Sequence, residues 1–101
     1  MLVHPLETAH GFDGAGDFFV DDSGNLTRRG GATHAPYVYT GIQIIRPRAF
    51  ENEKAEPFSM NKVWDNAIAA HRIKAIVHDG KWFHVGTPEA VETTDAALRT
   101  Q

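Results

Sequence analysis

The sequence predicts a small α/β domain in which a mixed β-sheet with β-hairpins packs against two main helices. Three observations support this fold class. Short β-prone runs alternate with turn residues, a capped amphipathic helix begins after Ser59, and a second helix follows directly after the last β-prone run. The 101 residues, 42% of them hydrophobic, suffice for one small core and are too few for two.

At the N-terminus, residues 1–16 show no regular hydrophobic period and are rich in glycine, histidine and acidic residues. We therefore expect an irregular N-terminal segment that is the least ordered part of the chain, followed by a folded domain over residues 17–101. The β-prone runs 17–20 and 26–29 flank a cluster of Asp, Ser, Gly and Asn at 21–25, and this arrangement predicts a hairpin.

Residues 37–45 form the strongest predicted strand, because they are rich in β-branched and aromatic side chains and are interrupted only by Gly41. Apolar residues on both faces predict a central position in the sheet. Residues 47–50 are expected to form one helical turn, and the charged stretch 51–56 is expected to form a solvated loop.

The first main helix is predicted from an N-cap and a stripe of side chains. Ser59 is the expected N-cap, and we expect Trp64 to pack in the core with Asp65 on the flank. The stripe recurs with helical spacing at Met60, Val63, Trp64, Ala67, Ile68 and His71.

The end of the chain is predicted to hold a second hairpin and the second helix. Asp79-Gly80 is a pair typical of type I′ turns, so the runs 73–78 and 81–85 are expected to pair with each other. The second helix starts at Pro88, with acidic residues near its positive end and with Val91 and Leu98 on one side.

Composition excludes several classes of function. The net charge is −3, with basic and acidic residues interleaved, so the chain lacks the basic patch that nucleic-acid binding requires. There is no cysteine for a disulfide or a thiolate metal site. No apolar run reaches membrane-spanning length, and the first residues do not resemble a signal peptide. We expect no nucleic-acid or membrane partner and a cytoplasmic location.

The junction at residues 82–89 is the first candidate site. Gly86 permits close backbone approach, and Thr87 followed by Pro88 predicts a capped helix start, which attracts anions. His84 precedes this turn and is a candidate contact for a phosphate or another ligand, or a metal ligand. A purely structural connection between strand and helix is the alternative, because such junctions are common.

The histidines and arginines offer further candidates. His78 and His84 flank the same predicted turn and are close enough in sequence for their side chains to meet. Arg28 and Arg29 lie beside a glycine-rich connector and could hold an anion, although neighbours on a strand point to opposite faces, and solvated surface arginines are the alternative. The remaining histidines are expected to lie on the surface or in loops, and these are His4, His10, His34 and His71.

Short motifs in a fixed order cover nearly the whole chain from Gly16 to Leu98. They are GDF at 16–18, YTGIQI at 39–44, FSMNKVWD at 58–65, HDGKW at 78–82 and HVGTP at 84–88. This series resembles the C-terminal part of sugar-1-phosphate nucleotidyltransferases, in particular the branch of bacterial N-acetylmuramate-1-phosphate uridylyltransferases and mannose-1-phosphate guanylyltransferases.

The resemblance implies a fold, a reaction and a set of site residues. The fold is the C-terminal portion of a sandwich related to the dinucleotide-binding fold. In the reaction, a sugar 1-phosphate attacks the α-phosphate of a nucleoside triphosphate and releases pyrophosphate, with Mg²⁺ bridging the phosphates. In the family, the pair matching Thr40 and Gly41 lies at the sugar pocket. The residues that we expect to bind substrate are Arg28, Arg29, Thr40, Gly41, Asn61, His84, Gly86 and Thr87, and no catalytic residue is assigned.

Two departures from the family pattern matter. His84 stands where the family has a metal-binding aspartate, and Mg²⁺ prefers oxygen ligands, so coordination by His84 is in question and a phosphate contact is the alternative. The family's N-terminal half, with its glycine-rich nucleotide loop, has no counterpart here. We therefore expect the chain to be a C-terminal fragment that binds Mg²⁺ weakly and is inactive alone.

Three functional hypotheses remain open from the sequence. The first is the sugar-phosphate-binding and assembly portion of a nucleotidyltransferase. The second is a non-catalytic module that associates with itself, because half a sheet exposes strand edges and an apolar face; a homo-oligomer is the physical expectation. The third is a small histidine-dependent phosphate or metal binder centred on His78 and His84.

Overall fold

Short strands and two α-helices make up the computed structural model, which describes residues 1–51, 53–54 and 59–100. Single 3₁₀ turns lie at Leu6–Thr8 and Pro47–Phe50. Within the described residues, neither helix has the length and hydropathy needed to cross a membrane. The strands and helices are β1 Leu2–Pro5, β2 Ala9–His10, β3 Phe18–Val20, β4 Leu26–Arg28, β5 Tyr37–Tyr39, α1 Met60–Ala69, β6 Ile76–Val77, β7 Trp82–Phe83 and α2 Pro88–Arg99.

The main sheet is mixed and has the strand order β4-β3-β5-β1-β6. Strands β4, β3, β5 and β1 pair antiparallel, whereas β1 and β6 run parallel. The sheet curls, because the Ala75 N–H donates to the Gly24 carbonyl at 2.8 Å and Asn25 forms a bridge with Lys74. The turn between β3 and β4 thus reaches the start of β6 at the opposite edge. A separate parallel pair joins β2 to β7.

One face of the main sheet holds the hydrophobic core. Val3, Phe18 and Leu26 are buried together there, and α1 adds the partly buried side chains of Trp64 and Ile68. Aromatic rings pack edge to face across this layer, with the centroids of Trp64 and Phe18 6.3 Å apart. Such offset ring pairs are favourable beyond the area that they bury. The prediction that Trp64 packs in the core is confirmed.

The other face carries the next residue along β1, His4, because side chains alternate across a strand. His4 lies opposite Val38 of β5, and both are buried. The ring centroid of Trp82 in β7 is 5.7 Å from that of His4. The main sheet therefore lies between α1 on one side and the β2–β7 pair on the other.

The irregular N-terminal segment expected over residues 1–16 is not what the structure shows, since residues 2–5 form β1 between β5 and β6. The strand is short, and its consecutive residues Val3 and His4 are both buried because both faces of the sheet are covered, so no alternation of polar and apolar residues marks it. A four-residue strand offers too little sequence to establish a period of two. The assignment of residues 17–101 to one portion of a nucleotidyltransferase domain stays a prediction.

The predicted hairpin across Asp79-Gly80 is also wrong. Strand β6 pairs with β1, and β7 pairs with β2, so the runs 73–78 and 81–85 separate into different sheets. The His78 N–H donates to the Val3 carbonyl at 2.7 Å, which extends the parallel ladder beyond β6. Pairing with distant strands therefore overrides the local turn preference.

The remaining predictions for strands and turns hold to different extents. The hairpin of β3 and β4 is confirmed, as is the central position of β5. The strand predicted over 37–45 is much shorter, because the chain turns at Gly41 with φ +92°. The turn at 47–50 is present as a 3₁₀ turn. In the charged stretch, positions 52, 55 and 56 lie outside the described residues, while Glu53 binds the Lys62 ammonium at 2.9 Å.

Candidate functional site

The junction between β7 and α2 forms as the sequence predicts. Thr87 is the N-cap of α2, and its hydroxyl oxygen accepts a hydrogen bond from the Ala90 N–H at 3.1 Å. Pro88, which lacks an N–H, occupies the first helical position. The His84 N–H donates to the His10 carbonyl at 2.7 Å and so continues the β2–β7 ladder by one residue. This hydrogen bond therefore fixes the backbone of His84 between β7 and the start of α2.

The His84 side chain is exposed and rests against aromatic neighbours. Its ring meets Phe12 edge to face at 5.8 Å and lies 6.1 Å from Trp82. A Cβ at Gly86 would stand 2.9 Å from His84 Nε2, so glycine leaves room for the ring. Within the described residues, neither ring nitrogen of His84 has a hydrogen-bond partner. The junction can thus present an imidazole and a helix N-terminus to an anion.

A second pair of histidines was not expected from the sequence. His4 Nδ1 lies 3.1 Å from His78 Nδ1, and His4 Nε2 lies 3.0 Å from the Thr8 hydroxyl. Both ring nitrogens of His4 are therefore engaged, and one of the facing Nδ1 atoms donates while the other accepts. The expectation that His4 lies on the surface or in a loop is wrong, because β1 places it inside the sheet. His78 meets His4, and no contact between His78 and His84 is found among the described residues.

The other three histidines are exposed, as predicted. His10 stacks on Phe83 with centroids 4.6 Å apart, an arrangement that follows from the β2–β7 register. His71 ends the turn after α1 with a positive φ of 54°. The signal that would have identified His4 as different is the parallel pairing of β1 with β6, which no local pattern contains.

Arg28 and Asn61, two of the expected substrate-binding residues, lie together. The Arg28 Nη2 donates to Asn61 Oδ1 at 2.8 Å, and its Nε donates to Asp65 Oδ1 at 2.9 Å. The guanidinium also lies over the rings of Phe18 and Trp64, 5.5 and 5.7 Å from their centroids. Arg28 thus fastens β4 to α1, and its charge is balanced by Asp65.

Arg29, Thr40 and Gly41 lie elsewhere. The Arg29 Nη1 approaches the Thr33 carbonyl at 3.5 Å, away from the contacts of Arg28. The Thr40 hydroxyl donates to the Leu2 carbonyl at 2.9 Å, and this bond ties the end of β5 to β1. The expected site residues therefore lie in four places, around Arg28, around Arg29, around Thr40 and at the β7–α2 junction, and the contacts of each involve different residues.

Magnesium does not fit the side chains that the structure brings together. In the described ranges, no three or more His, Cys, Asp or Glu residues converge as a metal site. The neighbours of His84 are aromatic rings, whereas Mg²⁺ requires an octahedron of oxygen ligands.

Comparison with known proteins supports the motif series. No protein-family model matches this chain. The chain is 32% identical over 98 residues to N-acetylmuramate alpha-1-phosphate uridylyltransferase of Caulobacter vibrioides. The matched region covers 97% of this chain and 40% of that relative, so the chain spans two fifths of the relative's length. The resemblance to the uridylyltransferase branch is thereby confirmed.

Proposed function

We propose that this chain belongs to the sugar-1-phosphate nucleotidyltransferases and forms the sugar-phosphate-binding and assembly portion of such an enzyme. The observation that carries the proposal is the similarity to the Caulobacter uridylyltransferase over 97% of the chain. The sheet held between α1 and the β2–β7 pair agrees with a sandwich domain of this family. The complete reaction joins a nucleoside triphosphate to a sugar 1-phosphate and releases pyrophosphate.

The chemistry of this reaction explains why we expect the chain alone to be inactive. Phosphoryl transfer depends on positioned cations and hydrogen-bond donors around the phosphates, since the sugar phosphate itself is the nucleophile. Arg28 is already paired with Asp65. Within the described residues, no three or more His, Cys, Asp or Glu side chains converge as a metal site, so we expect the ligands for Mg²⁺ in the part of the relative that this chain does not match.

Within this proposal, the β7–α2 junction contacts phosphate. His84 and the first turn of α2 are both exposed, and in that turn the Glu89 N–H is left for a ligand, because Pro88 has no N–H and those of Ala90 and Val91 donate to Thr87. A helix N-terminus carries a partial positive charge and favours anions. His84 replaces the family's metal-binding aspartate with a group that binds a phosphate oxygen directly.

Complementation tests this function. The chain is co-expressed with the portion of the Caulobacter relative that it does not match, and pyrophosphate release is measured with UTP, N-acetylmuramate 1-phosphate and Mg²⁺. We expect turnover from the complex and none from the chain alone. GTP with mannose 1-phosphate serves as the second substrate pair.

The same assay examines His84 by a matched pair of variants. In the complex, His84→Ala should lower kcat/KM at least about tenfold, because a group that meets the phosphates in the transition state is lost. His34→Ala, in an exposed loop, should leave it unchanged. A complex that forms but releases no pyrophosphate with either substrate pair would contradict the proposed function, and turnover by the chain alone would contradict its dependence on the missing portion.

A second candidate, a non-catalytic module that associates with itself, is favoured by the exposure of large aliphatic side chains. Those that are more than half exposed are Ile42, Ile44, Ile76, Val91 and Leu98. The third hypothesis loses its geometric basis, because His78 is engaged with His4.

A further inference from the structure

An apolar groove lies between the segment after β5, helix α1 and strand β6, and we call it the isoleucine groove. Its volume is about 760 Å³, and its aliphatic lining includes Ile44, Ile45, Ile73 and Ile76. Ile44 is 97% exposed and Ile76 is 68% exposed. Aliphatic side chains gathered in one exposed concavity are typical of a binding surface for a protein segment.

The rim of this groove is basic. Arg46, Arg48 and Arg72 line it, and their guanidinium groups have no hydrogen bond or ion pair with any described residue. Lys74 also lines the groove and binds the Asn25 side chain. Of the two acidic residues in the lining, Glu53 is neutralised by Lys62. The groove therefore favours an apolar segment that carries carboxylates along its flank.

Helix α2 has these properties. Val91 and Leu98 are seven residues apart, which places them on one side of the helix, and they are 55% and 52% exposed. Glu92 and Asp95 follow this stripe along its flank, with Asp95 paired to Arg99. Helix α2 does not line the groove of its own chain.

We propose that two copies of this chain associate by placing α2 of each in the isoleucine groove of the other. The complementarity is both apolar and electrostatic, since Val91 and Leu98 meet the isoleucines while Glu92 meets the arginine rim. Reciprocal exchange closes a two-fold dimer with two identical contacts. The twelve-residue helix is about 18 Å long, and its stripe runs over two turns.

This interface differs from pairing at the edge strand β6, which is the alternative for a second copy. The edge strand β6 has two residues, and its start is covered by the hydrogen bond between Ala75 and Gly24. The groove leaves larger aliphatic side chains uncovered. It is therefore the more favourable place for a second copy.

Light scattering over a wide concentration range measures the mass of the wild-type chain, and twice 11.2 kDa is expected. Ile44→Asp and Val91→Asp should each shift the chain to the monomer. Ile42→Asp is the control for the first, because Ile42 is 59% exposed and does not line the groove. Ala96→Asp is the control for the second, on the opposite side of α2. Circular dichroism verifies that all four variants remain folded.

A mixture of the two disruptive variants tests the reciprocal geometry. Ile44→Asp keeps a normal α2 and Val91→Asp keeps a normal groove, so the mixture should regain a dimer with one intact contact, whereas each variant alone stays monomeric. Arg72→Glu should weaken the wild-type dimer, and Glu92→Arg added to it should restore association.

Three results would overturn the proposal. The first is a monomer at every concentration. The second is a dimer whose mass is unchanged by both Ile44→Asp and Val91→Asp. The third is that the groove variants prevent the complex with the unmatched portion of the relative but leave self-association unchanged. Because this readout is mass, it is independent of the pyrophosphate assay for the proposed function.

Discussion

His4 shows how a polar side chain is accommodated inside this sheet. It is 1% exposed, yet His78 and Thr8 supply a partner for each ring nitrogen. A buried polar group costs little when it is hydrogen-bonded and several kcal/mol when it is not, so the pair fixes β1 against the segment after β6. The neighbouring ring of Trp82 excludes water from the same place.

Asp21 illustrates the opposite case, a charged residue in an exposed turn. The Asn25 backbone N–H donates to its carboxylate at 2.8 Å, and the Asn25 side chain and Ser23 N–H add further hydrogen bonds. These bonds, helped by the charge of Lys74, lower the pKa of Asp21 below its usual value. The carboxylate thus organises the turn that closes the hairpin of β3 and β4.

The lowered pKa of Asp21 predicts a contribution to acid sensitivity. Because the folded pKa lies below the unfolded one, this contribution is present above the unfolded pKa of about 4 and is lost as the pH falls through the folded pKa. Asp21→Asn should therefore flatten the loss of stability below about pH 4, measured by denaturant midpoints across pH. Asp22→Asn is the control, since the Asp22 carboxylate has no hydrogen bond among the described residues. Identical pH profiles for Asp21→Asn and wild type would contradict this role.

At the scale of elements, the two helices begin with the same device and differ in packing. The Ser59 hydroxyl oxygen accepts from the Asn61 N–H at 3.2 Å, just as Thr87 caps α2. Helix α1 buries Val63 and packs Trp64 and Ile68 against the core of the sheet, whereas none of the residues of α2 is buried. The two cap hydrogen bonds are therefore alike, but we expect the cap of α1 to contribute more to the stability of the fold than the cap of α2.

This difference predicts separate outcomes for the two caps. Ser59→Ala should lower the global free energy of unfolding by about 1 kcal/mol, because α1 must form for the core to form. At concentrations at which the chain is monomeric, Thr87→Ala should leave the global value nearly unchanged and speed hydrogen exchange of α2 amides. Ser59→Thr and Thr87→Ser retain the capping oxygen and serve as controls. Equal global losses from both alanine variants would show that α2 belongs to the cooperative unit.

For the whole molecule, the decisive feature is that the first strand completes the sheet. Strand β1 bonds to β5 on one side and to β6 on the other, and it contributes Val3 to the core. Strand β1 thus pairs with a strand that lies more than seventy positions away along the chain. Without β1, β6 has no neighbour in the main sheet.

Deletion of residues 1–5 should therefore abolish cooperative thermal unfolding and the near-ultraviolet circular dichroism of the packed aromatic rings. Truncation after residue 87, which removes the exposed helix α2, should leave both signals. If the N-terminal deletion keeps a sharp transition, the sheet does not depend on β1, and the irregular segment expected from the sequence is the better description.

The sequence by itself determined the features that depend on neighbouring residues. Three kinds of feature arise from hydrogen bonds or spacings within a few positions, so they can be predicted without knowledge of the fold. They are the caps at Ser59 and Thr87, the turn at 21–25 and the stripe of α1. The ordered motifs likewise revealed the similarity to a uridylyltransferase, because sequence similarity does not require contacts.

The tertiary structure alone decided which strands pair and which side chains meet. The place of β1, the separation of β6 from β7 and the pair of His4 with His78 depend on partners far apart in the chain. The same holds for Arg28, which the sequence predicts as available to bind an anion and which forms an ion pair with Asp65 in the fold. The reason is physical: hydrogen bonding and burial between distant segments outweigh local preferences of about 1 kcal/mol, and no local pattern records the partner that will be found.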